Sequence, residues 1–118
     1  MSGKIKYSSK ECIGSVNAID DALYVIGGKW KLRVIAALSE GDLRFNDLQR
    51  TVTGISARVL SNELKDLELN GFVTRIIHTQ KPVVVEYRLT DYAGTLSEVL
   101  LSLAQWGTMH RDKIRKER

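Results

Sequence analysis

The spacing of apolar residues changes along the chain, and each change marks an element. In "VNAIDDALYVI", residues 16–26, Val16, Ile19, Leu23 and Ile26 fall on one helical face. Gly27 and Gly28 end that helix, because glycine takes the left-handed C-cap conformation at little cost. "KWKLRVIAALSEG" predicts a second helix, with Trp30, Val34, Ala37 and Leu38 along one side and Leu32, Ile35 and Ala36 on others. A short helix apolar on several sides is expected at the centre of a fold. Its polar residues, Lys29, Lys31 and Arg33, cluster near its start, and Gly41 closes it. "DLRF" reads as a short extended piece. Asn46 is the expected cap of a brief helix, "DLQRTV", with Gln49 in the capping-box position. Thr53 and Gly54 turn the chain. Ser56 caps the following helix, whose packed face is Ile55, Val59, Leu60, Leu64 and Leu67, and Gly71 stops it. The period then drops to two. "FVTRIIHT" and "VVVEYRL" predict two strands of a hairpin with "QKP" as its loop. Thr90 caps a last helix carrying a wide stripe of Leu96, Val99, Leu100, Leu103 and Trp106.

Helix, helix, short strand, helix, turn, helix, hairpin, helix is the order of a winged helix-turn-helix. The class is α+β and mainly helical, with a β-hairpin wing and extra N- and C-terminal helices. In a helix-turn-helix the second helix enters the major groove by its N-terminal residues. Its opening turns must therefore be short-chained and rich in hydrogen-bonding groups. The 56–69 helix fits. Ser56, Arg58, Ser61, Asn62 and Lys65 lie off the apolar stripe, facing a double-stranded DNA partner. Gln80 and Lys81 at the hairpin tip are expected at phosphates, and Lys29 near a helix start either meets a phosphate or is plain surface. Arg58 has an alternative partner in Glu63 or Asp66. Arg75 and Glu86 on neighbouring strands are expected to form a surface pair. Trp30 and Trp106 read as core and interface anchors, His78 as a half-exposed strand residue, and His110 as a helix-end residue.

The 118 residues suffice for one domain, 1–118, with residues 1–12 as a flexible arm and 111–118, "RDKIRKER", as a basic tail. The net charge of +4 permits a polyanionic partner without requiring one. No apolar run approaches the ~20 residues that span a bilayer, and the N-terminus lacks a signal-peptide core, so no membrane partner and a cytoplasmic location are expected. One cysteine, Cys12, excludes an internal disulfide. Together with His78 and His110 it is too little for a metal site. No Gly-rich phosphate loop and no nucleophile elbow are present. Neither an enzyme nor a cofactor is expected.

"AIDDALYVIGGKWK", "RFNDLQRTVTGISARVLSNELKDLELNGFVTR" and "VEYRLT" together resemble the HxlR-type winged-helix transcriptional regulators, over roughly Cys12 to Trp106. The combination of these pieces at these spacings is specific, whereas no single piece is. The resemblance implies a homodimeric DNA-binding regulator joined through its first and last helices. The apolar stripes agree, and place Ile19, Leu23, Leu96, Val99, Leu100, Leu103 and Trp106 at the dimer contact. A two-fold dimer would read an inverted repeat with half-sites about one turn, ~34 Å, apart. Three positions depart from the family pattern: Ile13 follows Cys12 where proline is frequent, Val83 follows Pro82 where a second proline is frequent, and Ala93 stands where glycine is frequent. Cys12 is either a small apolar filler or a redox or electrophile sensor, a role the resemblance makes available. The reading that competes with DNA binding is a winged helix used as a protein-interaction module.

Overall fold

The computed structural model describes residues 9–117, with side chains described from Ser15 onward. Helix α1 spans Ser9–Ile26, α2 Lys31–Leu38, α3 Phe45–Thr51, α4 Ala57–Leu69 and α5 Ser97–Lys116. Strands β1 (Leu43–Arg44), β2 (Val73–His78) and β3 (Val84–Leu89) form one antiparallel sheet in the order β1-β3-β2. The α+β winged helix-turn-helix expected from the pattern is the fold observed. Among the described residues, no helix is long and apolar enough to cross a membrane.

Helix α2 is the centre. Val34 and Ile35 are fully buried and Leu38 nearly so, against Leu48 of α3, Leu60, Leu64 and Leu67 of α4, and Phe72 and Val73 at the start of the hairpin. These residues come from α2, α3, α4 and the start of the hairpin, so one core holds the helix-turn-helix and the root of the wing together. Gly28, at φ +93°, makes the sharp turn between α1 and α2 that a side chain would resist.

Four local expectations change. Helix α1 begins at Ser9 rather than near Val16, since nothing in residues 9–15 forbids helix: no proline occurs there and a lone Gly14 costs only about 1 kcal/mol. Position 12 is thus helical, and residues 1–8 of the expected arm lie outside the described residues. Asn46 is not a cap. Arg44 holds the N-cap position of α3 in extended conformation, because β1 pairs with β3 (Leu43 opposite Tyr87, Arg44 opposite Glu86) and runs straight into the helix. Gln49 serves the turn instead, its Nε2 donating to the Ile55 carbonyl at 3.3 Å. Arg75 and Glu86 do not pair. Arg75 stands opposite Tyr87 and Glu86 opposite Ile76, which puts the two on opposite faces of the sheet. Arg75 meets Glu68 of α4 at 3.0 Å, and Glu86 meets His78 at 2.6 Å. Lastly, Thr90 does not cap α5: a 3-10 turn over Tyr92–Leu96 with Asp91 at its N-cap position precedes that helix, and Thr90 ties the turn down, its Oγ1 accepting from the Ala93 amide at 3.3 Å and donating to the Gly71 carbonyl at 2.5 Å.

Candidate nucleic-acid interface

Helix α4 is sealed on one side and open on the other. Ser56 caps it as expected: the residue is extended, and its Oγ accepts the Val59 amide at 3.2 Å. Leu60, Leu64 and Leu67 are at most 1% exposed. Arg58, Asn62 and Lys65 are exposed, as is Ser56, while Ser61 is half-buried. Four of the five α4 residues expected at DNA are thus exposed, and Ser61 is partly covered.

The acids of α4 are already engaged, and not by Arg58. Lys31 of α2 places its Nζ 2.9 Å from Glu63 and 3.5 Å from Asp66. The hydrogen bond to Glu63 raises the Lys31 pKa against the opposing effect of its partial burial. Among the described residues, neither Arg58 nor Lys65 makes an ion pair. The acids pull α4 onto α2, and its cations stay available.

The turn before α4 is held from α2 as well. Gly54 takes φ +89°. The half-buried Trp30 lies beside it, close enough that a Cβ at Gly54 would sit 3.9 Å from the indole Cη2. Lys29 and Arg33 both lie over that indole, at 4.7 and 4.8 Å from its centroid. Lys29 precedes α2 rather than opening it, since Trp30 occupies the N-cap position.

The wing is a six-residue-per-strand hairpin, paired from Val73–Leu89 to His78–Val84. Its loop, residues 79–83, is longer than the three residues expected and carries Gln80 and Lys81 exposed at the tip. At its root Arg88 forks onto Asp42, with Nε–O distances of 3.0 and 3.1 Å and Nη2–O of 2.7 Å. That fork holds the Asp42 carboxyl below its ordinary pKa.

The terminal helices divide the expected contact residues into two sets. Leu96 and Leu100 are half-buried and pack on the chain's own core. Ile19, Leu23, Val99, Leu103 and Trp106 are exposed, and no residue of α5 is buried. Trp106 stacks on His110 with ring centroids 4.9 Å apart. Tyr24, Leu101 and Met109 extend the exposed apolar surface beyond the set read from the sequence. Their signal was present, since they flank the stripe, but its width was underestimated. Lys31, Asp42 and Arg88 were missed for another reason: each acts on a partner in a different element, which periodicity does not report. The Cys12 side chain lies outside the described ones. Among the described residues, no cluster of His, Cys, Asp or Glu could hold a metal ion.

A family model described as HxlR-like helix-turn-helix matches residues 25–115. The HTH-type transcriptional regulator YdeP of Bacillus subtilis (strain 168) is 37% identical over 112 residues, 95% of this chain and 86% of that protein. The HTH-type transcriptional regulator BH0655 of Halalkalibacterium halodurans is 41% identical over 111 residues, covering 89% of this chain and 98% of that one. Among solved structures, the redox regulator HypR in its reduced form superposes with a TM-score of 0.77 at 36% identity, covering 84% of this chain and 98% of that one. The reduced form of YodB from B. subtilis gives 0.69 at 31% identity over 75% of this chain and 87% of that one. The chain belongs to the HxlR-like helix-turn-helix family of transcriptional regulators.

Proposed function

We propose that this protein is a sequence-specific, double-stranded-DNA-binding transcriptional regulator, not an enzyme, that acts in the cytoplasm as a homodimer on an inverted-repeat operator. The observation that carries the reading is the division of labour on α4. Its leucines are buried and its acids are bound by Lys31, while Arg58, Asn62 and Lys65 stay exposed and free of ion pairs among the described residues. A helix built that way presents donors to a partner rich in acceptors and negative charge, which describes the major groove. The first two turns of α4 read bases, Gln80 and Lys81 on the wing hold phosphates, and Lys29 adds a phosphate contact beside the turn. The exposed apolar residues of α1 and α5 form the subunit contact.

One similar structure is of the redox regulator HypR in its reduced form, HypR has also been solved oxidised, at 37% identity, and another is of YodB in its reduced form. We extend that property to Cys12. With no second cysteine in the chain, its oxidation leads to an intermolecular disulfide, a mixed disulfide with a small thiol, or an electrophile adduct. Position 12 lies in α1, beside the proposed contact, where any of these products would alter the angle between subunits.

The test is selection of duplexes from a random library by the intact protein, followed by affinity measurement against salt. An enriched inverted repeat, bound more tightly than random duplex, supports the reading. Binding that is equally weak on every duplex would make the winged helix a protein-interaction module instead.

A further inference from the structure

We infer that Arg33 is a positioning residue for DNA reading, acting through the turn that aims α4. The inference rests on the DNA-binding role of that helix. The inner side of the turn is fixed by burial: Val52 and Ile55 are in the core, and the Ile55 amide donates to the Val52 carbonyl at 3.2 Å. Its outer side is exposed and contains Thr53 and Gly54. Arg33 reaches that side from α2, with Nη2 donating to the Thr53 carbonyl at 2.8 Å across twenty residues of sequence. The guanidinium lies over Trp30, which itself abuts Gly54. A planar cation on an indole has few ways to turn, so its donor meets the carbonyl in a defined direction.

The geometry gives this contact leverage. Thr53 is three residues before the Ser56 cap and five before Arg58. A shift of the turn therefore tilts the whole opening of α4 about its buried leucines. Lys31, two residues from Arg33, holds the same helix further along at Glu63 and Asp66. The first turn of α2 thus grips α4 at its approach and at its middle, and Arg33 is the grip nearest the base-reading end. Arg33 is exposed and among the described residues faces no acid, so removing it opens no cavity and strands no charge. Lys29 remains over Trp30 in its absence.

Position and phosphate contact predict different losses. A duplex selected from a random library by the parent chain is compared with a random duplex of the same length, across a salt series. Arg33→Ala is expected to weaken the selected duplex by about tenfold, the scale of one misplaced base contact, and to leave random-duplex affinity and the salt slope unchanged. Arg33→Lys keeps a cation and one donor and should recover part of the loss. In DNA-free protein, hydrogen exchange at the Ile55 amide, bonded to the Val52 carbonyl inside the turn, should quicken in Arg33→Ala while exchange at the amides of Leu60 and Leu64 holds. Equal losses on both duplexes, with a slope lowered by about one unit, would make Arg33 a phosphate contact and overturn the inference. Unchanged affinity together with unchanged exchange overturns it as well. If the parent selects no duplex, the DNA reading fails, and the exchange measurement still judges the grip on the turn.

Discussion

Arg58 sits in the first turn of α4, where a cation opposes the helix dipole at a cost of roughly 0.3–1 kcal/mol. Among the described residues no carboxylate offsets that cost, because Glu63 and Asp66 are bound to Lys31. A guanine edge or a phosphate would. If Arg58 makes a bidentate guanine contact, Arg58→Ala should cost ~1–3 kcal/mol of operator binding and relax the choice at one base pair, read by comparing all four bases at each position. The Asp42–Arg88 fork is a residue-scale feature of stability rather than of reading. Asp42 has a lowered pKa in the folded chain, so the unfolded chain binds its proton more readily. The fork's contribution is therefore complete above the ordinary carboxylate range and disappears as pH falls through the lowered folded value. Asp42→Asn should be less stable than the parent at neutral pH, and the gap should close on acidification, as followed by urea denaturation at a series of pH values.

At the scale of elements, α4 depends on its buried stripe and the wing on its tip. Leu64 is 1% exposed in the middle of α4, and Leu64→Ala should cost ~2–5 kcal/mol, seen as a lower urea midpoint. The slope of the transition should hold if the fold survives. Lys81 is exposed at the hairpin tip, and if it contacts phosphate, its replacement by alanine should weaken all duplexes alike and lower the salt slope by about one unit. Sequence pattern reports such stripes well, because the leucines of α4 recur on one face whatever else surrounds the helix. It fails where an element's role depends on a distant neighbour. Asn46 looks like a cap until β1 is paired with β3, which moves the helix start back to Phe45. Arg75 and Glu86 look like partners until the register puts them on opposite faces. The brace of Lys31 and Arg33 on α4 and its turn needs α2 laid against α4, which no one-dimensional period contains. Conversely the capped, exposed polar start of α4 was legible, because a polar start to an amphipathic helix is itself a local pattern.

The whole molecule is extended, with a Cα radius of gyration of 17.6 Å where a compact chain of this length has about 13.5 Å. The long terminal helices contribute to this. Helix α5 runs twenty residues, about 30 Å, without burying one of them, while Leu103 and Trp106 stay 50% and 59% exposed. Leaving Ile19, Leu23, Val99, Leu103 and Trp106 about half in water forgoes roughly half of the ~1.5–3 kcal/mol that fully burying each large side chain would contribute. In the proposed dimer a second copy would supply the matching surface by symmetry, since a two-fold contact joins one patch to itself. Trp106 is the largest of these side chains and stands on α5 between Leu103 and Met109, both also exposed, so it is the expected anchor of the contact. The same contact would set the separation of the two α4 helices at about one turn of duplex, ~34 Å, or a multiple of it. Occupying one half-site would then present the second reading helix at high effective concentration to the other. In the proposed dimer association and operator affinity would thus be coupled, and a change that touches only the subunit contact should lower both. Trp106→Ala should shift sedimentation towards monomer and weaken binding to the full inverted repeat. Affinity for an isolated half-site should change little. If the parent protein sediments as a single monomeric species at micromolar concentration, the proposed dimer is wrong, and another partner would have to cover the apolar surface of α1 and α5.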